Sequence, residues 1–273
     1  MKKSLAILFM GLSIFGLAAC GSSGESGGDG DQLSQIKEDG VIKVATSPDY
    51  APFGFHTEID GKDEIVGADI DLMEAIAKKM DVKVKWLDMS FNNVLAATKE
   101  GKADVAISAI SVTDEREKSF DFTDTYYTSP QAVVIRKADA DKYTGTDSFE
   151  GKQVGAQKGT IQENVVKEQL TGSTLVAIEK LPNIFVELKN GSLDGLVTEK
   201  TVAQSYVDQN PDLMIADIAL ESMKEDSFSI AVPKGNEDLV KELNKSIKEL
   251  QDDGQVDEMV AKAQELAKKA TNE

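Results

Sequence analysis

Residues 104–123 read DVAISAISVTDEREKSFDFT, and the remainder of the chain is organised around them. The apolar run at 105–107 has the length and flanks of a buried strand. Small hydroxyl residues follow at Ser108, Ser111 and Thr113, and then the charged turn Asp114-Glu115-Arg116-Glu117. Small residues at a strand's carboxyl end leave backbone N–H and C=O groups open to a ligand, and serine or threonine adds side-chain hydrogen bonds. Arg116 supplies a planar fork of donors that matches a carboxylate through two parallel bonds. An arginine in such a turn also has a plainer use, as a surface partner of Glu115, Glu117 or Asp121. The hydroxyl cluster ahead of it favours the ligand.

Toward the N-terminus, VIKVAT at Val41–Thr46 is β-branched and apolar and reads as a strand. It enters Ser47-Pro48-Asp49-Tyr50-Ala51-Pro52-Phe53, where two prolines forbid helix and set an extended loop. Tyr50 and Phe53 are either lids on a core or stacking platforms for a ligand. A short strand is expected at 64–67 and a helix at 68–80. The helix carries the apolar stripe Ile70, Met73, Ala77 and Met80, so its methionines belong to the core. Alternation of Val82, Val84 and Trp86 against Lys83 and Lys85 predicts a strand at 82–87 with one face buried. A helix at 92–100, preceded by Phe91 and stopped by Gly101, leads back to 104–123. Strand and helix thus alternate up to the central stretch. That pattern specifies a parallel sheet covered by helices, whose ligands collect at the strands' carboxyl ends.

Toward the C-terminus, a β-rich run at 132–136 precedes a new unit opening near Asp147. Strands are expected at 152–155, 175–178, 193–198 and Leu213–Ile215, with helices at 163–170, 181–189 and 201–207 between them. Gln157-Lys158-Gly159-Thr160-Ile161-Gln162 is a turn at a helix N-terminus, whose free N–H groups suit an anion. It lacks the glycines and the Gly-Lys-Ser/Thr ending of a phosphate loop. One further strand is expected at 228–232, then two amphipathic helices. The first carries Leu239, Leu243, Ile247 and Leu250, with Asn236 as its cap and Gly254 as its stop; the second carries Met259, Val260, Ala263 and Leu266. His56 is the chain's one histidine and is read as structural or exposed; without a second histidine or a nearby cysteine it suggests no metal site.

The chain begins with Lys2 and Lys3, an apolar run at 5–19 and then Cys20. That is the pattern of a secretory signal, too short for a comfortable membrane span. Leu17-Ala18-Ala19-Cys20 resembles a lipoprotein signal box, which implies cleavage before Cys20 and lipid on its thiol. Residues 1–19 are therefore expected to be a signal peptide and 20–32 a flexible tether of glycine, serine and acid. Cys20 is the one cysteine among 273 residues, so no intrachain disulfide is available. Forty-eight acidic residues against thirty basic give a net charge of −18, and −20 once Lys2 and Lys3 leave with the signal. Such acidity argues against nucleic acid and against electrostatic docking on a membrane.

Several motifs in this order resemble one family, the extracytoplasmic solute-binding proteins of polar amino acid ABC transporters. They are Ser47 to Phe53, Val66-Gly67-Ala68-Asp69-Ile70-Asp71-Leu72, Lys102-Ala103-Asp104-Val105, Ser111-Val112-Thr113-Asp114-Glu115-Arg116, Phe120-Asp121-Phe122-Thr123 and Lys158-Gly159-Thr160. The resemblance spans about residues 39–266. It implies an α/β fold of the type II periplasmic-binding-protein kind: two lobes, each a mostly parallel sheet covered by helices, joined by two crossover hinge strands. The first lobe would comprise 33–128 and 227–273, the second 129–226. Carried onto this chain, the resemblance assigns the ligand's α-carboxylate to Arg116, Ser111 and the Thr160-Ile161 turn. It assigns the α-ammonium to Ser108, Ala109, Ser111 and Glu199, the last where relatives usually have aspartate. Tyr50 and Phe91 would sandwich the ligand's side chain, with Gln157 and Gln162 facing it from the second lobe. Ser47 stands where relatives that prefer basic amino acids often carry aspartate.

The implied function is capture of a free L-amino acid, with arginine or lysine favoured over glutamine or another polar one, and delivery to an ABC permease. The protein would be a lipid-anchored monomer on the outer face of the membrane, with no cofactor and no metal. Two other readings stay open. The same fold hosts a dehydratase of cyclic carboxylic acids, in which Glu199 would be a general acid. A lipid-anchored amino acid sensor or adhesin would leave the same residues in place.

Overall fold

A computed structural model describes residues 32–270. The expected leader, Cys20 and all of the tether but Gln32 lie outside the described residues. The β-branched run Val41–Thr46 sits inside a five-stranded sheet, parallel to Lys83–Asp88 on one side and to Val105–Ala106 on the other. Ala231–Pro233 takes the fourth place, antiparallel to both its neighbours, and Phe120–Phe122 the edge. The helix Ala68–Lys79 covers this sheet. Its expected stripe is buried, and Leu72 and Ile76 are buried beside it. The helix therefore buries a broad face, because the helices Glu237–Asp252 and Gln255–Ala270 pack against it from outside. Phe91–Lys99 covers the other face and ends where Gly101 takes a φ of 72°.

The second sheet repeats the plan. Its order is Thr174–Ile178, Gln153–Gln157, Gly195–Glu199, Gln131–Arg136 and Leu213–Ile215, and again the fourth strand is antiparallel to both neighbours. Gln162–Gln169, Leu181–Asn190 and Lys200–Gln209 are its helices. The chain leaves the first body through Tyr127–Thr128 and returns through Ser227–Phe228, and these two crossings pair antiparallel with each other. Phe53 meets the rings of Tyr127 and Phe228 edge-on at 5.4 and 5.0 Å, which fixes the crossings to the first body. The expected α/β architecture is thus what the chain forms. Among the described residues no helix is long and apolar enough to cross a membrane.

Some local expectations are corrected. Gln32, placed in the tether, opens the unforeseen helix Gln32–Asp39, which Ile36 docks on the core. Asp49–Tyr50, read as loop, pairs with Gly54–Ile59, and that strand pairs with Lys62–Val66 in a small antiparallel sheet. The single strand at 228–232 is broken after Phe228. There the Ser229 N–H donates to Ile110 O and the Ile230 N–H to Thr123 Oγ1 before Ala231 joins the large sheet. Val84 and Trp86 are only half-buried, since their strand is an edge. Asn236 does not cap the following helix with its side chain, because its Nδ2 donates backward to Pro233 O.

Candidate functional site

The carboxyl ends of the two sheets face each other across a narrow cavity. Tyr50, Phe91, Ser108, Ala109, Ser111 and Arg116 line it from the first body, and Gln157, Thr160, Ile161, Gln162 and Glu199 from the second. These residues span 150 positions of sequence, and the parallel sheets bring them together because each follows a strand end or opens the next helix.

One end of the cavity is a guanidinium. Arg116 is half-buried beneath a turn in which its own N–H donates to Thr113 Oγ1. Its Nη1 donates to Ser111 O at 2.7 Å and its Nη2 to Gly159 O at 3.1 Å, so the hydrogen bonds run to two carbonyls, one on each body, rather than to Glu115, Glu117 or Asp121. The guanidinium also lies 5.6 Å from the centre of the Phe91 ring. Burial pushes its pKa down to about 10, opposed first by the charge of Glu199, which still leaves it a cation at neutral pH. Beside it, Ala109 holds a left-handed φ of 47°. The fully buried Asp69 carboxylate stabilises that conformation by accepting from the Ala109 N–H at 2.8 Å and from the Tyr126 hydroxyl at 2.8 Å. Burial pushes Asp69 up to about 6 against these two hydrogen bonds.

The other end is a carboxylate. Glu199 ends the central strand of the second sheet and is 2% exposed. Its Oε1 accepts from Gln162 Nε2 at 2.8 Å, and its Oε2 accepts from the Tyr50 hydroxyl of the other body. Burial raises its pKa, opposed first by the Tyr50 hydrogen bond. Tyr50 was expected to offer a ring face; it also offers a hydroxyl, which contacts Thr198 Oγ1 at 2.9 Å. A cation at one end and an anion at the other are what a zwitterion needs, because an unpaired buried charge costs several kcal/mol.

Residues 42–264 match the family described as bacterial extracellular solute-binding proteins, family 3. The chain belongs to that family. Among its relatives is an arginine-binding extracellular protein, ArtP, of Bacillus subtilis, 33% identical over 96% of this chain and 98% of the relative. A probable histidine-binding protein of Campylobacter jejuni is 32% identical over 96% of this chain and 98% of its own. Among solved structures, the amino acid ABC transporter substrate-binding protein AbpA of Streptococcus pneumoniae, bound to L-arginine, superposes with a TM-score of 0.83 at 41% identity. That match covers 86% of this chain and 98% of the other.

In this solute-binding protein one expected residue is displaced. Ser47 is 2% exposed and does not line the cavity; its Oγ donates to Asp49 Oδ1 at 2.9 Å. Asp49 lines the cavity instead, and its Oδ2 accepts from Gln157 Nε2 at 3.1 Å across the cleft. Asp49 and its neighbour Tyr50 both reach the cavity from their short pairing with Gly54–Ile59, while the Ser47 hydroxyl is spent on the Asp49 carboxylate. Burial raises the pKa of Asp49, opposed by the bonds from Ser47 and Gln157, and Lys180 on its outer side adds a weak counter-charge. In the second body, Thr160 Oγ1 donates to Gln157 O and the Gly159 N–H to Glu163 Oε1, which fixes the turn against the cleft. Gly159 has a φ of 84°, and a Cβ there would meet Asn92 Oδ1 at 2.3 Å, so the two bodies touch at that point. His56 lies away from the cavity lining, its ring nitrogens 3.0 Å from Asp63 Oδ2 and 3.1 Å from Asp88 Oδ2. Among the described residues no group of His, Cys, Asp and Glu is arranged to hold a metal ion.

Proposed function

We propose that this solute-binding protein captures a cationic L-amino acid, arginine before lysine, between its lobes and delivers it to an ABC permease. The lobes would be 33–128 with 227–273, and 129–226. Arg116, with Ser111 and the Thr160-Ile161 turn, would take the α-carboxylate, and Glu199 with Ser108 and Ala109 the α-ammonium. The observation that carries the cationic reading is Asp49. The cavity lining holds one cation, Arg116, and two carboxylates, Glu199 and Asp49. A neutral zwitterion leaves one carboxylate over, and a side-chain guanidinium or ammonium balances it. Phe91 and Tyr50 would flank the aliphatic stem and the planar cation. The arginine-bound relative described above supports this choice.

A thermal-shift screen of the twenty amino acids on residues from about 31 tests it, since a tight ligand raises the melting point by mass action. Arginine and lysine should give the largest shifts. Asp49→Asn should weaken both roughly ten- to hundredfold, the worth of a charge-assisted hydrogen bond, and leave glutamine nearly unchanged. A screen led by glutamine, with Asp49→Asn silent, would replace the cationic reading with a polar one. Capture rather than catalysis fits these residues, because the cleft pairs charges without presenting a nucleophile beside a base. Turnover of bound arginine, followed by NMR, would argue for an enzyme. Failure of a deletion strain to lose arginine uptake would argue for a sensor or adhesin.

We further propose that Cys20 carries the lipid that holds the protein, as a monomer, at the outer face of the membrane. Mass spectrometry of the mature N-terminus should find a diacylglyceryl cysteine. An unmodified thiol at position 20 would remove the anchor.

A further inference from the structure

Behind Glu199 the second body contains a line of buried polar side chains that ends at the crossing strands. Gln162 Nε2 donates to Glu199 Oε1 and to Gln131 Oε1, each at 2.8 Å. Gln131 Nε2 donates in turn to Asp226 Oδ1 at 3.0 Å. All four residues are buried. Gln131 opens the strand that follows one crossing, directly opposite Glu199 in the ladder, and Asp226 immediately precedes the other. Asp226 is itself fixed, for its Oδ2 accepts from the Met223 N–H at 2.9 Å and its carbonyl from the Ser129 N–H at 2.9 Å.

The chemistry of this line has one solution. An ionised carboxylate only accepts, whereas an amide has one accepting oxygen and one donating nitrogen. Asp226 therefore draws the nitrogen of Gln131 toward itself, and the Gln131 oxygen must face Gln162. Gln162 then has to donate to it, and both hydrogens of its nitrogen are used, one on Gln131 and one on Glu199. We propose that Asp226 and Gln131, neither of which lines the cavity, are positioning residues that make Gln162 a donor to Glu199 and an acceptor alone toward any ligand. The assignment of the ammonium to Glu199 rests on the capture reading; the orientation of the amides does not. An acceptor-only wall suits a ligand whose side chain only donates, such as a guanidinium, and opposes one that must also accept.

The decisive measurement needs no ligand. A hydrogen bond to the ionised form of a carboxyl lowers its pKa, and Gln162 supplies one to Glu199. Asp226→Asn offers one accepting oxygen where Gln131 and Met223 require two, so the line loses its fixed sense. The 13C carboxyl titration of Glu199, assigned by difference from Glu199→Gln, should move to higher pH in Asp226→Asn and in Gln131→Met. The second variant keeps the volume and removes the amide if the first proves unstable. Arginine affinity should fall roughly tenfold in both variants. A titration midpoint unchanged in a folded variant overturns the proposal, because loss of packing alone would not hold that midpoint still while breaking the line. A wild-type protein that binds no amino acid would remove the capture reading, and the titration would still judge the line.

Discussion

Alanine at position 116 should lower affinity for the amino acid by about 2–5 kcal/mol, roughly thirtyfold to several thousandfold. The expectation follows from where the guanidinium sits. It is held against Phe91 and the carbonyl of Ser111 on its own body and meets the carbonyl of Gly159 on the other, so its rotamer has little freedom. Its remaining donors can meet a carboxylate with little further ordering. Removal loses the bidentate contact, and it also leaves a ligand carboxylate buried without its counter-charge, which is the larger part of the effect. Arg116→Lys should recover only part of it, since an ammonium cannot present two parallel donors. Titration calorimetry on the two variants reads the difference directly. Near wild-type binding by Arg116→Ala would remove Arg116 from the carboxylate site.

Glu199→Gln should weaken amino acid binding by about 1.5–3 kcal/mol, roughly ten- to 150-fold, while leaving the ligand-free protein at least as stable at neutral pH. The two effects have opposite signs for one reason. Burial raises the pKa of Glu199 in the folded state. A carboxyl with a raised folded pKa contributes stability below its unfolded value, near 4.5, and loses it as pH rises through the folded value. At neutral pH the ionised group is therefore a burden on the fold, and glutamine relieves it. Binding runs the other way, because only the ionised form pairs with an ammonium. Wild-type affinity should fall as pH drops through the raised pKa, earlier than for an ordinary carboxylate, and the variant should show a shallower fall, keeping only the part that Asp49, itself raised by burial, contributes. Calorimetry across pH 4–8 separates the outcomes, and an identical slope in the variant would assign the titration to another group.

Much of this was legible in the sequence because periodicity and punctuation act locally. Val41–Thr46 shows β-branching, and Gly101 and Gly254 stop their helices with positive φ. The alternation of strand and helix implied that ligands meet the strand ends, and Arg116, Ser108 and Ser111 stand there. Asp49 was overlooked because the two prolines read as loop and its partner across the cleft, Gln157, lies in the other body. The role of the Tyr50 hydroxyl was hidden for a similar reason, since its partner Glu199 lies in the other body. Gln131 and Asp226 carried no signal at all. A buried amide orienting another amide depends on tertiary geometry, and neither residue sits in a recognisable motif.

The pairing of the two crossings has a mechanical consequence. Tyr127–Thr128 and Ser227–Phe228 are bonded to each other as well as to their own bodies, and Phe53 secures both rings from one side. Separate threads would let one half wander about the other like a ball in a socket. A single laced ribbon bends about one axis, as a door does on its pin. A swing of the proposed lobes about that axis would return the same guanidinium opposite the same carboxylate, and a captured amino acid would meet an unchanged address however often the door had moved.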